Sequence, residues 1–350
     1  MLLQSLKYPI IQAPMAGGVS NPILASAVSN AGGLGFLAGG YKTAEAMRQE
    51  ILEMRKRTKH PFGVNLFVPN EDAVQEEELS AYRKQLETAA HQLGASVGEA
   101  KTDDDDWENK LNVLIEEKVP IVSFTFGCPS PKVIQQLKEV GSFVVVTVTT
   151  PEEALIARDA GVDALCLQGI EAGGHRATFH NTVKMKEDYS LLMLLRLVRK
   201  AVELPLIAAG GIMNGEDIAL ILTAGAKAVQ LGTAFLRTPE SGAHRLHKKA
   251  IADPRFQSTV ITRAFTGRPA RGLVNTFIKE YDQLAPCAYP QIHYMTKDIR
   301  KKAGETNNPD YMSLWAGQGF PFARELTAAE LVKTLMSECE QALKRVAFRI

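Results

Sequence analysis

Three features are scarce in this chain, and each scarcity removes a class of protein. Cysteine is the first: the 350 residues hold four, Cys128, Cys166, Cys287 and Cys339. They form no CxxC pair, and two fall in apolar segments, so a disulfide framework and a cysteine zinc site are both unexpected. Charge of one sign is the second. The formal net charge of +1 leaves no global field to draw the protein to nucleic acid or anionic lipid, and neither is expected as a partner. Long apolar runs are the third. Gln4, Lys7 and Pro9 break up the N-terminal stretch, and no later run reaches the ~20 residues a bilayer needs. The chain therefore reads as cytoplasmic, with neither a signal peptide nor a membrane span.

What is present is a rhythm of short β-rich runs and longer helical stretches. Strands are predicted at Pro9–Pro14, Leu34–Ala38, Phe62–Phe67, Ile121–Phe126, Phe143–Val148, Ala164–Gln168, Leu206–Ala209 and Val229–Leu231. Runs such as FVVVTV and PLIAA are apolar without alternation, which is the pattern of strands covered on both faces of a parallel sheet. The helix candidates between them have physical boundaries. Asn21 caps a helix with Pro22 at its first position. Pro151 and two glutamates open another, where the helix dipole favours negative charge. Asn214 opens a third, which stops at Gly225. Eight such units are the number that closes a (β/α)8 TIM barrel.

Two stretches break the rhythm. From about 70 to 109 the chain is polar, acidic and helix-prone, and we read it as an insertion in a barrel spanning 1–236. Its run Asp103–Asp106 is read as a solvated loop, because consecutive carboxylates repel and do not converge on one ion. No metal site is expected. The second stretch, 237–320, has no strand rhythm and is read as a smaller, mostly helical lid or substrate domain. Residues 321–350 then supply a closing helix, predicted at Ala328–Ala347.

Barrel enzymes carry their sites on the loops that follow the strands. Those loops hold Ala13, Pro14 and Met15, then Asn65, then Thr125–Cys128, then the segment Gln168–Arg176. The last two hold Gly210-Gly211 and Gln230-Leu231-Gly232-Thr233. Glycines after the final two strands allow backbone N–H groups to approach an anion, and a helix N-terminus follows each, so a phosphorylated ligand is expected there. His175 follows a glycine pair, Gly173-Gly174, in a loop with no core to satisfy, and its neutral-range pKa suits acid–base work. His180 competes with it. His91, His244 and His247 fall in polar helical stretches where a solvated ring is expected, and His60 precedes a strand at the wrong end of the barrel.

Taken in order, IIQAPMAGGVSNPILASAVSNAGGLGFLAGG, PFGVNLFVP, CLQGIEAGGHRATF, PLIAAGGIMNGEDI, AVQLGTAFL and MSLWAGQG resemble the class I nitronate monooxygenases. The resemblance implies one non-covalent FMN. It also implies oxidation by O2 of alkyl nitronates, such as propionate 3-nitronate, to a carbonyl compound and nitrite, a detoxification. It places Asn65, Gln168, Gly173, Gly211, Gln230, Leu231, Gly232 and Thr233 against the flavin and His175 on the catalytic histidine. The neighbouring strand-end residues Ala13, Pro14, Met15, Gly174 and Gly210 join the cofactor-binding set. Ala177 departs from the family's usual glycine after His-Arg. An FMN-dependent NAD(P)H reductase of enoyl-acyl-carrier-protein or quinone type is the alternative on the same barrel. Arg176 after His175, where those reductases resemble His-Ile, favours the monooxygenase. A small nitronate and O2 are the expected partners, and association into a homo-oligomer is left open.

Overall fold

The computed structural model describes residue 3 and residues 6–70, 74–182 and 187–347. Its strands are β1 Ile10–Gln12, β2 Gly35–Ala38, β3 Phe62–Phe67, β4 Ile121–Thr125, β5 Phe143–Val148, β6 Ala164–Gln168, β7 Gly174–His175, β8 Leu206–Ala209, β9 Ala228–Leu231, β10 Thr259–Thr262 and β11 Ala270–Leu273. The first helices are α1 Pro22–Asn30, α2 Ala44–Arg57, α3 Glu76–Leu93, α4 Trp107–Glu116, α5 Pro131–Glu139 and α6 Pro151–Asp159. The later ones are α7 Leu191–Ala201, α8 Gly215–Thr223, α9 Arg245–Ala252, α10 Thr276–Tyr281, α11 Gln291–Glu305 and α12 Ala328–Ala347.

Eight strands pair in the order β1-β9-β8-β6-β5-β4-β3-β2, each pair parallel. Leu34 closes the ring: its N–H donates to Ile10 O, and its carbonyl accepts from Gln12 N–H, both at 2.9 Å. The chain is thus a TIM barrel. Alternate strand residues serve two cores. Ile11, Phe36, Val145, Cys166 and Ile207 fill the interior. Ile10, Val64, Val144, Leu165 and Val229 face the surrounding helices. This double burial is why the strands read as unbroken apolar runs.

The caps predicted at Asn21 and Asn214 form, and Thr150 adds one not named from the sequence. Asn21 Oδ1 accepts from Ile23 and Leu24 N–H, Thr150 caps α6, and Asn214 and Asp217 make a reciprocal capping box on α8. After the smaller domain, α12 returns to pack on α8 and α1.

Two expectations need correction. Residues 237–320 do contain strands: β10 and β11 form an antiparallel hairpin, and β7 joins it as a third strand, with His175 opposite Ala270. The run ARGL of β11 has no apolar alternation, so the sequence carried no strand signal there. The second correction concerns the 70–109 insertion. Leu79, Tyr82 and Leu86 of α3 enter one core with Phe265, Phe277, Ile292 and Ile299, and Tyr82 OH donates to Ala264 O at 2.6 Å. The smaller domain is therefore built from two separate stretches of chain.

Candidate active site

A cavity of about 390 Å³ opens at the carboxyl ends of the barrel strands, under the smaller domain. Every sequence-assigned site residue lines it: Ala13, Pro14 and Met15 after β1, Asn65 in β3, Gln168 at the end of β6, and Gly173, Gly174 and His175 beyond. Gly210 and Gly211 follow β8, and Gln230, Leu231, Gly232 and Thr233 close β9 and begin the next turn. His180 is exposed and outside this group.

The glycines serve different physical ends. Gly210 and Gly211 have φ of 128° and 71°, and a Cβ on Gly211 would meet Glu171 Cβ at 3.1 Å, so the turn ahead of α8 needs glycine. A Cβ on Gly173 would lie 2.4 Å from Gly317 N. That glycine lets the loop pack against the smaller domain. Thr233 Oγ1 accepts from Gly317 N–H at 2.9 Å, which joins the two domains beside the cradle.

Two amides stand on the barrel rim. Asn65 Nδ2 donates to Ser123 Oγ at 2.8 Å and to Thr125 Oγ1 at 3.1 Å. Gln168 Oε1 accepts from Arg176 Nη1 and Ala177 N–H, each at 2.9 Å, and its Nε2 donates to His175 O at 2.9 Å. Arg176, fully buried, also donates to the Gln168 and Gly169 carbonyls. Arg176 is thus a brace under the loop and does not line the cavity. Ala177 is fully buried and supplies its backbone to the same brace, so the departure from glycine leaves the loop's hydrogen bonding in place.

His175 Nε2 lies 2.9 Å from Thr266 Oγ1. The Thr266 hydroxyl also has Arg268 O within reach as an acceptor at 3.2 Å, an arrangement that suits the tautomer in which Nε2–H donates to Thr266 and Nδ1 is bare. The rings of Phe126, Trp315 and Tyr289 surround the imidazole at centroid distances of 5.6, 5.7 and 5.9 Å. This desolvation, with the charges of Arg268 and Arg300, pushes its pKa down to about 3.

Several wall residues were not named as site residues in the sequence, Phe126 having entered only within the strand-end span Thr125–Cys128. Tyr41 and Phe126 follow β2 and β4 with φ of 65° and 76°, a strained backbone for bulky residues that is found where a site over-determines it. The acidic run helps to hold the first of them. Asp105 accepts from Tyr41 N–H at 2.8 Å and pairs with the buried Lys110 at 2.8 Å, and Asp106 accepts from Ala44 N–H at 2.8 Å. The expectation of a solvated loop holds for Asp103 and Asp104, which are exposed, and fails for Asp105 and Asp106, which are half-buried and bind separate partners. His293 and Arg300 of α11 also line the cavity, as do His244 and His247. His247 is buried, with Nε2 2.9 Å from Trp315 O, so it is not the solvated ring its polar helix suggested. The tail residues Trp315 and Gly317 fall in the motif MSLWAGQG, which was one available signal.

The fold and the place of this cavity define a (β/α)8-barrel enzyme working at the carboxyl ends of its strands. A family model for nitronate monooxygenase matches residues 1–338. Nitronate monooxygenase of Pseudomonas aeruginosa is 41% identical over 348 residues, spanning 96% of this chain and 97% of that protein. The crystal structure of nitroalkane oxidase from Streptomyces ansochromogenes superposes with a TM-score of 0.95 at 48% identity, covering 99% of this chain and 100% of its own. FabK from Thermotoga maritima is more distant, with a TM-score of 0.78 at 29% identity, covering 100% of this chain and 97% of its own. The chain belongs to the nitronate monooxygenase family, and so to the oxidoreductases. Among the described residues, no helix is long and apolar enough to cross a membrane.

Proposed function

We propose that this enzyme binds FMN non-covalently and uses O2 to oxidise alkyl nitronates to a carbonyl compound and nitrite. The observation that carries the reading is one cavity joining a glycine cradle to a half-buried histidine whose pKa is pushed down to about 3, in a chain of this family. The cradle fits a phosphate. Gly210 and Gly211 adopt backbone conformations that side chains disfavour, they face the cavity, and α8 begins just beyond them.

When bound, FMN supplies an electron acceptor that oxygen can reoxidise. The residues of the chain do the rest. Gly210, Gly211, Gly232 and Thr233 hold the phosphate. Asn65 and Gln168 present amides to the ring heteroatoms, and the bonds from Arg176 and Ala177 fix the Gln168 orientation. Phe126, Tyr289 and Trp315 keep water from the reacting carbon. Toward a neutral nitroalkane, His175 offers its Nδ1 as the acceptor of the α-proton, whose removal leaves the nitronate; a nitronate supplied as such has no proton to give it.

The purified protein should be yellow, and acid precipitation should release all of the colour as FMN. With a nitronate and O2 it should form nitrite and the carbonyl compound in equal amounts. Colour retained on the protein pellet contradicts the non-covalent cofactor, and turnover without nitrite contradicts the reaction.

A further inference from the structure

We propose that Arg300, contributed by the smaller domain, is the cation that draws the substrate's anionic oxygens into the cavity and so determines specificity for an anion. The proposal rests on the nitronate reading above and assigns the charge recognition to a residue outside the barrel.

Arg300 lies on α11 and lines the cavity. Its Nε donates to Thr296 Oγ1 at 3.1 Å. Its Nη2 donates to His293 O at 2.9 Å and lies 3.3 Å from His293 Nδ1. Those three contacts use three of the five guanidinium N–H groups. Among the described residues, the Nη1 pair has no protein partner and no carboxylate forms an ion pair with this side chain. Arg300 is half-buried at the cavity wall, and a partly desolvated cation without a counter-ion is less stable than one that is paired. An anion that arrives from outside would supply that pairing.

The other positive groups nearby do not fill the role. His175 and His293 are pushed down to about 3 and about 2, chiefly by burial, so both rings are neutral at pH 7. Arg268 stacks its guanidinium over Phe126, 4.0 Å from the ring centroid, and donates to Thr178 O. Lys297 is exposed. Burial lowers Arg300 itself only to about 10, so it keeps its charge at neutral pH.

The anchor is also rigid. Thr296 and His293 stand on the same helix as Arg300, and the His293 ring stacks on Tyr41 at 4.1 Å with an interplanar angle of 4°. A guanidinium fixed in this way loses little freedom when it binds an oxyanion, and its remaining donors make charge-assisted bonds.

The test uses the FMN-loaded holoenzyme and the variants Arg300→Gln and Arg300→Lys. Nitrate serves as a planar oxyanion that needs no turnover, and its binding is followed through the flavin spectrum. A nitronate and the neutral nitroalkane of the same carbon skeleton are the two substrates. In Arg300→Gln, nitrate binding should weaken and KM for the nitronate should rise, each by about 10–100-fold, the scale of one charge-assisted hydrogen bond. Flavin content and kcat should change little, KM for the neutral nitroalkane should stay within about threefold, and Arg300→Lys should restore part of the loss. Equal losses on both substrates, unchanged nitrate binding, or loss of FMN from both variants would overturn the assignment. Wild-type enzyme that binds nitrate through Arg300 but leaves nitronates unoxidised would refute the reaction and leave the anion anchor standing.

Discussion

A histidine ringed by Phe126, Tyr289 and Trp315, with two guanidinium charges in range and no carboxylate against it among the described residues, has one stable charge state. With a pKa near 3, the neutral ring outnumbers the cation by about 10⁴ to one at pH 7. Electrostatic stabilisation of an anion by an imidazolium is therefore a poor role for His175, and proton acceptance at Nδ1 is the better one. For any neutral nitroalkane the enzyme accepts, His175→Asn should lower kcat/KM by about 10²–10⁴, the range of a general base. A pre-formed nitronate has already lost that proton and should lose less than about tenfold. Equal losses would contradict the assignment. The same variant has a signature in the ligand-free protein. The folded-state value lies below the ordinary 6.5, so between these values the unfolded chain binds a proton the folded chain refuses. The neutral ring's contribution to stability is complete above about pH 6.5 and is lost as pH falls toward about 3. The drop in urea midpoint between pH 7 and pH 4.5 should thus be smaller in His175→Asn than in wild type.

At the scale of elements, the strand-to-helix turns carry both fold and chemistry. The two cradle glycines differ, and the difference can be measured. Gly211 has positive φ and a tight neighbour, whereas Gly232 has φ of −105° and a Cβ there would sit 3.6 Å from Ala13 and Met15. Gly232→Ala should keep its FMN. Gly211→Asp and Gly232→Asp should both lose it, because each places a carboxylate against the phosphate, while far-UV circular dichroism still reports a folded barrel. Full FMN content in either aspartate variant would mean the phosphate lies elsewhere. These turns were legible in the sequence because local chemistry dictates them: the Asn21 and Asn214 caps, the glycine stops, the apolar strands. The β10–β11 hairpin was not legible. Its strands are four residues each, and pairing with β7 across the chain defines them more than any pattern of their own.

At the scale of the molecule, the site lies where two chain-distant assemblies meet. The barrel contributes the cradle and the amides, which follow from strand-end position and could be named from sequence. The aromatic walls and Arg300 come from the smaller domain or from strained turns, and no local pattern marks a residue that tertiary packing turns toward a cavity. Tyr41 shows the reason well, since its backbone is held by Asp105, 64 positions away. The β7 strand ties the two parts together, pairing the His175 loop with β11, so the histidine is set by the smaller domain as much as by the barrel. The account as a whole turns on what reduces the flavin. Mixed anaerobically with the holoenzyme, a nitronate should bleach the flavin absorbance within the time of a single turnover, and NADH at the same concentration should leave it unchanged. Rapid bleaching by NADH, with none by the nitronate, would contradict the account and make the enzyme a nicotinamide-dependent reductase on the same barrel.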